Sequence, residues 1–164
     1  MKTLLRKRWQ VWTAGAVAVV AVGSIAWLVL RPGSEPERER RYRAETACLL
    51  TGEGGVRGTP AAAVWAGMQR ASLESLVKVS FVAVRGPQTA GNAATYLGGL
   101  VQSRCDLLLA VDAAPVAAVA ASAPAFPQQK FVVVGGAAAA NVSVLEGTSD
   151  EAYALVTESF KEDF

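Results

Sequence analysis

A glycine-rich loop at residues 51–60, TGEGGVRGTP, is the first candidate for chemistry. Such a loop can lead into a helix whose free N–H groups, here at residues 59–62, bind an anion, with Arg57 adding positive charge. A Walker A motif needs a lysine that is missing here, and a dinucleotide fingerprint needs a glycine where Arg57 stands. We therefore predict neither ATP nor NAD binding, and favour a tight strand-to-helix turn in which Thr59 caps the helix.

Residue types that most catalytic and metal sites need are missing from the chain. There is no histidine, which excludes Ser-His-Asp and Cys-His catalysis and the usual histidine-containing zinc sites. Two cysteines are too few for a zinc site of cysteine alone, and no paired carboxylates stand at predicted strand ends. We therefore predict that the protein is not an enzyme and that it binds no metal and no cofactor.

Short apolar runs that alternate with helical stretches predict the elements that would position a site. Strands that are apolar on both faces are typical of a parallel sheet covered by helices on both sides. Right-handed crossovers then give an α/β fold with a doubly wound five-stranded sheet of order 2-1-3-4-5. The predicted strands are residues 47–51, 77–84, 107–111, 131–134 and 141–145, and the predicted helices are residues 59–72, 88–103, 113–123 and 149–160.

Sheets of this kind bind ligands at the carboxyl ends of their strands, and polar and glycine residues there form the candidate site. Asp112 follows the third strand and could contact a polar ligand, although its place before an alanine-rich helix favours an N-cap. Trp65 lies at helix-core spacing, which favours packing over ligand stacking. The candidate ligand-binding residues are Thr51, Gly54, Gly55, Arg57, Thr59, Asp112, Gly135 and Gly136.

The two cysteines predict a covalent link between neighbouring strands. Cys48 begins the first predicted strand and Cys105 the third, and these strands are adjacent in a 2-1-3 order. Adjacent strands lie about 4.8 Å apart, which is within disulfide reach. We therefore predict a Cys48–Cys105 disulfide, which would indicate an oxidising, extracytoplasmic compartment. Two buried free thiols are the alternative.

An uncharged segment at residues 11–30, VWTAGAVAVVAVGSIAWLVL, predicts a transmembrane helix. As a helix it would be about 30 Å long, which matches the hydrocarbon core of a bilayer. Four basic residues and no acid precede it, which favours a cytoplasmic N-terminus, although the arginines after it weaken that signal. Its length and the lack of a small-residue cleavage site favour an uncleaved signal anchor over a cleaved signal peptide.

Charge divides the chain into a basic tail at residues 1–10, the span at 11–30, a charged linker at 31–44 and a domain at 45–164. The domain carries seven Lys/Arg and eleven Asp/Glu, a net charge of −4, so a nucleic-acid partner is not predicted. Five arginines in the linker could meet anionic lipid head groups. A solvated spacer is the favoured interpretation, because three interleaved glutamates cancel much of their field.

The order of these segments resembles the first lobe of basic membrane protein (BMP) family solute-binding proteins, which have a periplasmic-binding-protein type I-like fold. The shared marks are Gly54-Gly55, Trp65 with Gly67, NAATYL at 92–97, CDLLLAV at 105–111 and FVVVGG at 131–136. The resemblance implies an extracytoplasmic binding protein of an ABC uptake system, many of which bind nucleosides. The family's first loop is similar to GGxDDxSFN, and residues 54–61 lack its acid, aromatic and amide.

We therefore expect a single-pass protein of a bacterial cell membrane whose extracytoplasmic domain is one lobe of a binding protein. It would act by binding a small nucleoside-like molecule or by protein contact. A homodimer or a partner protein at the cleft face is the expected form of such contact. The alternative is the ligand-binding component of a nucleoside-type ABC uptake system that needs a second lobe or chain.

Overall fold

Five parallel strands form the centre of the structure, a computed structural model that describes residues 42–161. Their order is β2-β1-β3-β4-β5, which confirms the predicted sheet. The central strands β1 and β3 are buried along almost their whole length, as a sheet with two covered faces requires. The strands are β1 (Thr46–Thr51), β2 (Lys78–Ala83), β3 (Leu107–Ala110), β4 (Lys130–Val134) and β5 (Val142–Leu145).

Two pairs of helices cover the sheet. They are α1 (Ala61–Ser75), α2 (Ala90–Gln102), α3 (Ala113–Ser122) and α4 (Ser149–Ser159). Helices α1 and α4 pack together on one face over Leu49, Leu109 and Val132, and α2 and α3 pack together on the other face over Leu50, Leu108 and Phe131. All strands begin at one edge of the sheet, the amino edge, and end at the other, the carboxyl edge.

The helix starts differ from the prediction in two places. Thr59 does not cap α1, because Pro60 occupies the capping position and no side chain bonds the first turn. Asp112 precedes α3 but makes no cap either, because its carboxylate is directed elsewhere. By contrast, Thr89 accepts a hydrogen bond from the Asn92 N–H and caps α2.

The connection from β4 to β5 contains no helix. Residues 135–141 return to the amino edge as an exposed strap, and Gly135 and Gly136 both have positive φ angles at its start. The Asn141 amide ends the strap by donating to the carbonyls of Ala123, Phe126 and Gln129 at 2.9–3.2 Å. One side chain therefore ties the start of β5 to the end of the α3 layer.

Helices α1 and α4 approach closely at Gly67, which is buried. A Cβ at this position would lie 2.2 Å from the Ser149 carbonyl oxygen and 2.9 Å from the Ala152 Cβ. On the outer side of the same contact, Arg70 stacks on the Tyr153 ring at 4.3 Å and pairs with Asp150 at 2.7 Å. Glycine is therefore required here for packing rather than for its φ angle.

Cys48 and Cys105 form the predicted disulfide, with their Cα atoms 5.9 Å apart. Cys48 is the third residue of β1, whereas Cys105 lies two residues before β3 and not within it. Both are buried beneath α2 and α3. The bond therefore fastens β1 to the loop that leads into β3.

The two ends of the described chain meet at the amino edge. The Arg43 backbone N–H donates to the Leu76 carbonyl at 2.8 Å, and its guanidinium donates to the Phe160 carbonyl, after α4, at 3.2 Å. The same guanidinium pairs with the Glu45 carboxylate at 3.1 Å. The segment before β1 is therefore held against the end of α4.

The predicted membrane span at residues 11–30, the basic tail and the linker up to residue 41 lie outside the described residues. Within residues 42–161, none of the helices has the length and apolar character that crossing a membrane requires.

The first turn of α4 predicts a pH-dependent stability. The Thr148 backbone N–H donates to the Glu151 carboxylate at 3.1 Å, and this bond lowers the pKa of Glu151 below its usual 4.5. Because the folded pKa is depressed, the contribution is present above pH 4.5 and is lost as the pH falls through the folded value. We expect the melting temperature of the wild type to fall below about pH 4.5.

The variant Glu151→Gln keeps the capping geometry but does not titrate, so its melting temperature should fall less over the same range. The pKa of Glu45 is lowered by a hydrogen bond from its own backbone N–H and by Arg43, so a smaller decline remains in the variant. Identical pH profiles of wild type and variant by thermal denaturation would contradict this role of Glu151.

Candidate functional site at the carboxyl edge of the sheet

The loops that follow β1, β2 and β3 surround a cleft of about 350 Å³ at the carboxyl edge. The glycine-rich loop forms one wall, and the start of α3 forms the other. This is the edge at which doubly wound sheets bind ligands. The lining residues are Gly52, Glu53, Gly54, Gly55, Gly58, Ala61, Gln88, Asp112, Ala113 and Ala114.

Two side chains fasten the glycine-rich loop to its neighbours. The Asp112 Oδ2 accepts a hydrogen bond from the Gly52 N–H at 2.8 Å, and the Gln88 Oε1 accepts one from the Glu53 N–H at 3.2 Å. The Gln88 amide also donates to the carbonyls of Val84 and Gly86 at 3.1 and 3.0 Å. A Cβ on Gly52 would lie 3.0 Å from the Asp112 carboxylate, so a larger residue here would require that side chain to shift by a few tenths of an ångström.

The backbone of Asp112 is in a conformation that side chains rarely adopt. Its φ of 77° and ψ of 157° fall in a region populated almost only by glycine. Holding a non-glycine residue there costs about 1–3 kcal/mol. The turn aims the carboxylate across the cleft at Gly52 and away from the first turn of α3. This strain is a reason to regard Asp112 as a functional residue, because such conformations cluster at ligand sites.

The start of α3 offers hydrogen-bond donors next to this carboxylate. The first helical bond is made by Val116, whose N–H donates to the Asp112 carbonyl at 3.0 Å. The N–H groups of Ala113 and Ala114 precede that bond and have no acceptor among residues 42–161. The Asp112 Oδ1 likewise receives no hydrogen bond from the described residues. The cleft therefore places an acceptor beside two donors.

The cleft brings together only some of the predicted site residues: Gly54, Gly55 and Asp112 line it. Thr51 is fully buried, and its hydroxyl donates to the Gly52 carbonyl at 3.2 Å. The remaining predicted residues do not line the cleft: Arg57 and Thr59 are exposed in the loop before α1, and Gly135 and Gly136 begin the strap after β4.

Gln88 and Glu53 were not among the predicted site residues. Their signal in the sequence is only their position, in the loops that follow β2 and β1. The NAATYL segment has a supporting role, since the Asn92 amide donates to the Arg85 and Pro87 carbonyls at 2.7 and 2.9 Å. The loop that carries Gln88 is therefore fixed by α2.

Trp65 lies outside the cleft, at the border of the core beneath α1 and α4. Its ring meets that of Phe81 edge-on, with centroids 5.2 Å apart, and Phe81 is 43% exposed. Packing is thus the role that the contacts of Trp65 indicate, as its helical spacing predicts. No group of three or more His, Cys, Asp or Glu residues within 42–161 is placed to hold a metal ion.

The strain at Asp112 predicts that the glycine variant of this residue is more stable than the alanine variant. Alanine keeps the strained backbone and loses the bond to Gly52, whereas glycine loses the same bond and relieves the strain. Asp112→Gly should therefore be more stable than Asp112→Ala by about 1 kcal/mol or more. Urea denaturation of both proteins measures the difference. An alanine variant as stable as the glycine variant would show that the backbone at this position is relaxed.

Comparison with known proteins supports the fold. No protein-family model matches the chain, and no curated protein matches its sequence. Among solved structures it is similar to a crystallised fragment, from Peptoclostridium difficile 630, of a protein assigned as a lipoprotein. That likeness has a TM-score of 0.56 and 14% identity, and covers 72% of this chain and 98% of the fragment. The two proteins share a fold.

A solute-binding protein of an ABC transporter system from Aeropyrum pernix K1 is also similar, with a TM-score of 0.49 and 24% identity. The match covers 60% of this chain but 28% of that protein, so the present chain corresponds to a minor part of its length. At 14% identity, the likeness to the Peptoclostridium difficile fragment concerns the fold alone. Membership of the BMP family stays a prediction.

Proposed function

We propose that the protein is a membrane-anchored, extracytoplasmic binding module of one lobe that takes a small polar molecule in the carboxyl-edge cleft. The observation that carries this proposal is the strained Asp112, whose carboxylate is fixed at the mouth of the cleft. Strain of this kind persists where the surrounding structure enforces it, and it is typical of binding sites.

The chemistry of the cleft indicates the class of ligand. The Asp112 Oδ1, which has no hydrogen bond from residues 42–161, can accept one, and the Ala113 and Ala114 N–H groups can donate. A hydroxyl group both donates and accepts, so neighbouring hydroxyls of a sugar ring match this arrangement. A nucleoside, the ligand class implied by the BMP resemblance, carries such hydroxyls. Glu53 and Asp112 at the cleft disfavour a strongly anionic molecule.

Titration calorimetry of the purified chain with a panel of nucleosides tests this proposal. We expect measurable heat for the wild type and at least a tenfold weaker affinity for Asp112→Ala. Asp106→Ala is the matched control, because Asp106 stands at the other end of β3 and also accepts a backbone hydrogen bond. No heat with any nucleoside would remove nucleosides as the ligand. Equal losses in both variants would place the binding site elsewhere.

The anchoring part of the proposal rests on residues 11–30 and on the disulfide, which is stable in an oxidising compartment. Protease treatment of intact cells tests it. We expect the domain to be cut while a fragment that contains the span stays with the membrane. A domain protected in intact cells and cut only after lysis would place it on the cytoplasmic side and overturn this part.

A second candidate function is the receptor subunit of an uptake system that needs a second lobe or chain. The observation in its favour is the openness of the cleft, since Gly54, Gly58 and Asp112 are exposed and one side of a ligand would face water. A second copy of the chain or a partner protein could cover that side. An adjacent reading frame for a second lobe or a permease would favour this candidate, as would ligand-dependent association in sedimentation experiments.

A further inference from the structure

The amino edge carries a second cleft, of about 360 Å³, that the proposed ligand site does not use. Two cations, Arg104 and Lys130, line it together with the acids Glu45 and Asp106. Both acids already have partners: Glu45 pairs with Arg43, and Asp106 accepts a hydrogen bond from a β1 backbone N–H at 2.8 Å. Neither acid forms a salt bridge with Arg104 or Lys130 within the described residues, although Asp106 keeps its negative charge.

Further cations lie at several points along this edge. Lys78 begins β2, Arg104 precedes β3, Lys130 begins β4 and Lys161 follows α4. All four side chains are exposed, and none of them forms a salt bridge within the described part of the chain. Glu158 in the last turn of α4 is an exposed acid on the same side. Asp106, and Glu74 in the last turn of α1, are further exposed acids near this edge, and Lys78 lies close enough to Glu45 to interact with it. The four exposed cations therefore exceed the three exposed acids by one.

At the opposite edge, the carboxyl edge, exposed acids outnumber exposed cations. At the carboxyl edge the exposed charges are the acids Glu53, Asp112, Glu146 and Asp150 and the cations Arg57 and Arg85, and Asp150 pairs with Arg70. The domain is therefore polarised along the strand direction, although its net charge is negative. A charged surface would orient such a domain rather than simply attract or repel it.

The chain also connects to the predicted span at the positive edge. Tyr42, the first described residue, is 48% exposed next to the start of β1. The eleven residues at 31–41 separate it from the predicted span. An extended chain spans at most about 3.5 Å per residue, so these residues keep this edge within about 40 Å of a bilayer. Tyrosine is a residue that favours the membrane interface.

We propose that the amino edge docks on the anionic head groups of the membrane that anchors the chain, so that the carboxyl-edge cleft faces away from the lipid. This inference rests on the proposed anchoring. Lys78, Arg104, Lys130 and Lys161 make the contact, and the acids at the far edge favour the same orientation because an anionic surface repels them. The cleft is then presented to soluble ligands and partners.

Hydrogen exchange of the full chain in nanodiscs tests the docking. One set of discs contains phosphatidylcholine alone, and the other contains equal parts of phosphatidylcholine and phosphatidylglycerol. On the anionic discs we expect exchange to slow about fivefold or more in peptides that contain Lys78, Arg104 and Lys130. Peptides from the carboxyl-edge loops should not change. High salt should abolish the difference, because it screens the attraction.

The triple variant Lys78→Glu, Arg104→Glu and Lys130→Glu should lose the lipid-dependent protection. The variant Arg57→Glu and Arg85→Glu is the matched control, since it reverses exposed arginines at the other edge and should keep the protection. Melting temperatures identify any variant that fails to fold. Equal exchange of the wild type on both kinds of disc would overturn the docking, as would protection that the triple variant retains.

Carbonate extraction of membranes separates this proposal from the anchoring. A chain that resists extraction but shows no lipid-dependent protection contradicts the docking and leaves the anchor in place. A chain that carbonate removes contradicts the anchor, and docking is then measured by sedimentation with phosphatidylglycerol vesicles. Sedimentation that the triple variant loses would support the basic edge as a lipid-binding surface, and failure to sediment would overturn it.

Discussion

Replacing Gly67 with alanine should lower the free energy of unfolding by about 2 kcal/mol or more, because the new methyl group has no room between α1 and α4. The atom it meets first is the Ser149 carbonyl oxygen, at 2.2 Å. That oxygen belongs to the backbone, so no rotation of a side chain can relieve the clash. The start of α4 would have to move away from α1, and the apolar contacts beneath it would loosen.

Gly99→Ala is the matched control for this variant. Gly99 also lies within a helix, but a Cβ there would have no atom within 4 Å. Alanine should stabilise that position by about 0.5–1 kcal/mol, because it lowers the entropy cost of forming a helix. Urea denaturation of both proteins measures the contrast. A Gly67→Ala protein as stable as Gly99→Ala would mean that the two helices are not held at this distance.

Removal of the Cys48–Cys105 disulfide should also lower the free energy of unfolding strongly. The bond closes a loop of 57 residues. A loop of that length is expected to contribute about 4 kcal/mol by restricting the unfolded chain. We therefore expect the double variant Cys48→Ala and Cys105→Ala to unfold at a much lower urea concentration than the oxidised wild type.

Reduction of the wild type should reproduce most of this loss, since both alanines fill the same buried sites with little change in packing. Addition of a reductant to the double variant should then change nothing, which separates the covalent bond from general effects of the reagent. Two thiols that titrate in the unfolded, non-reduced wild type would show that the bond is absent. A double variant as stable as the wild type would contradict its role in stability.

The sheet could be predicted because its determinants are local. Each of the central strands is a short run of apolar residues between turn signals, as in LLLA at β3, and the helices between them leave only right-handed connections. The disulfide followed from the strand order, since β1 and β3 are neighbours only in a 2-1-3 arrangement. These inferences need no knowledge of side-chain direction.

The site was predicted less completely because it depends on the path of the backbone. Asp112 has the residue type and position of an N-cap, and only its positive φ angle turns the carboxylate toward Gly52 instead. Thr59 fails as a cap for a similar reason, since the helix begins one residue after Pro60. Gln88 joins the cleft through the turn that Asn92 fixes, a contact that residue spacing does not reveal.

The contact between Arg43 and the Phe160 carbonyl has a consequence for protein engineering. Because the two ends of the described chain are adjacent, a short peptide could join them, and the chain could be reopened within the exposed alanines at 137–140. Such a circular permutant would keep all four strand pairings and begin and end far along the sequence from the loops of the carboxyl-edge cleft. Reporter proteins fused to residues 42 and 161 would likewise leave the cleft accessible.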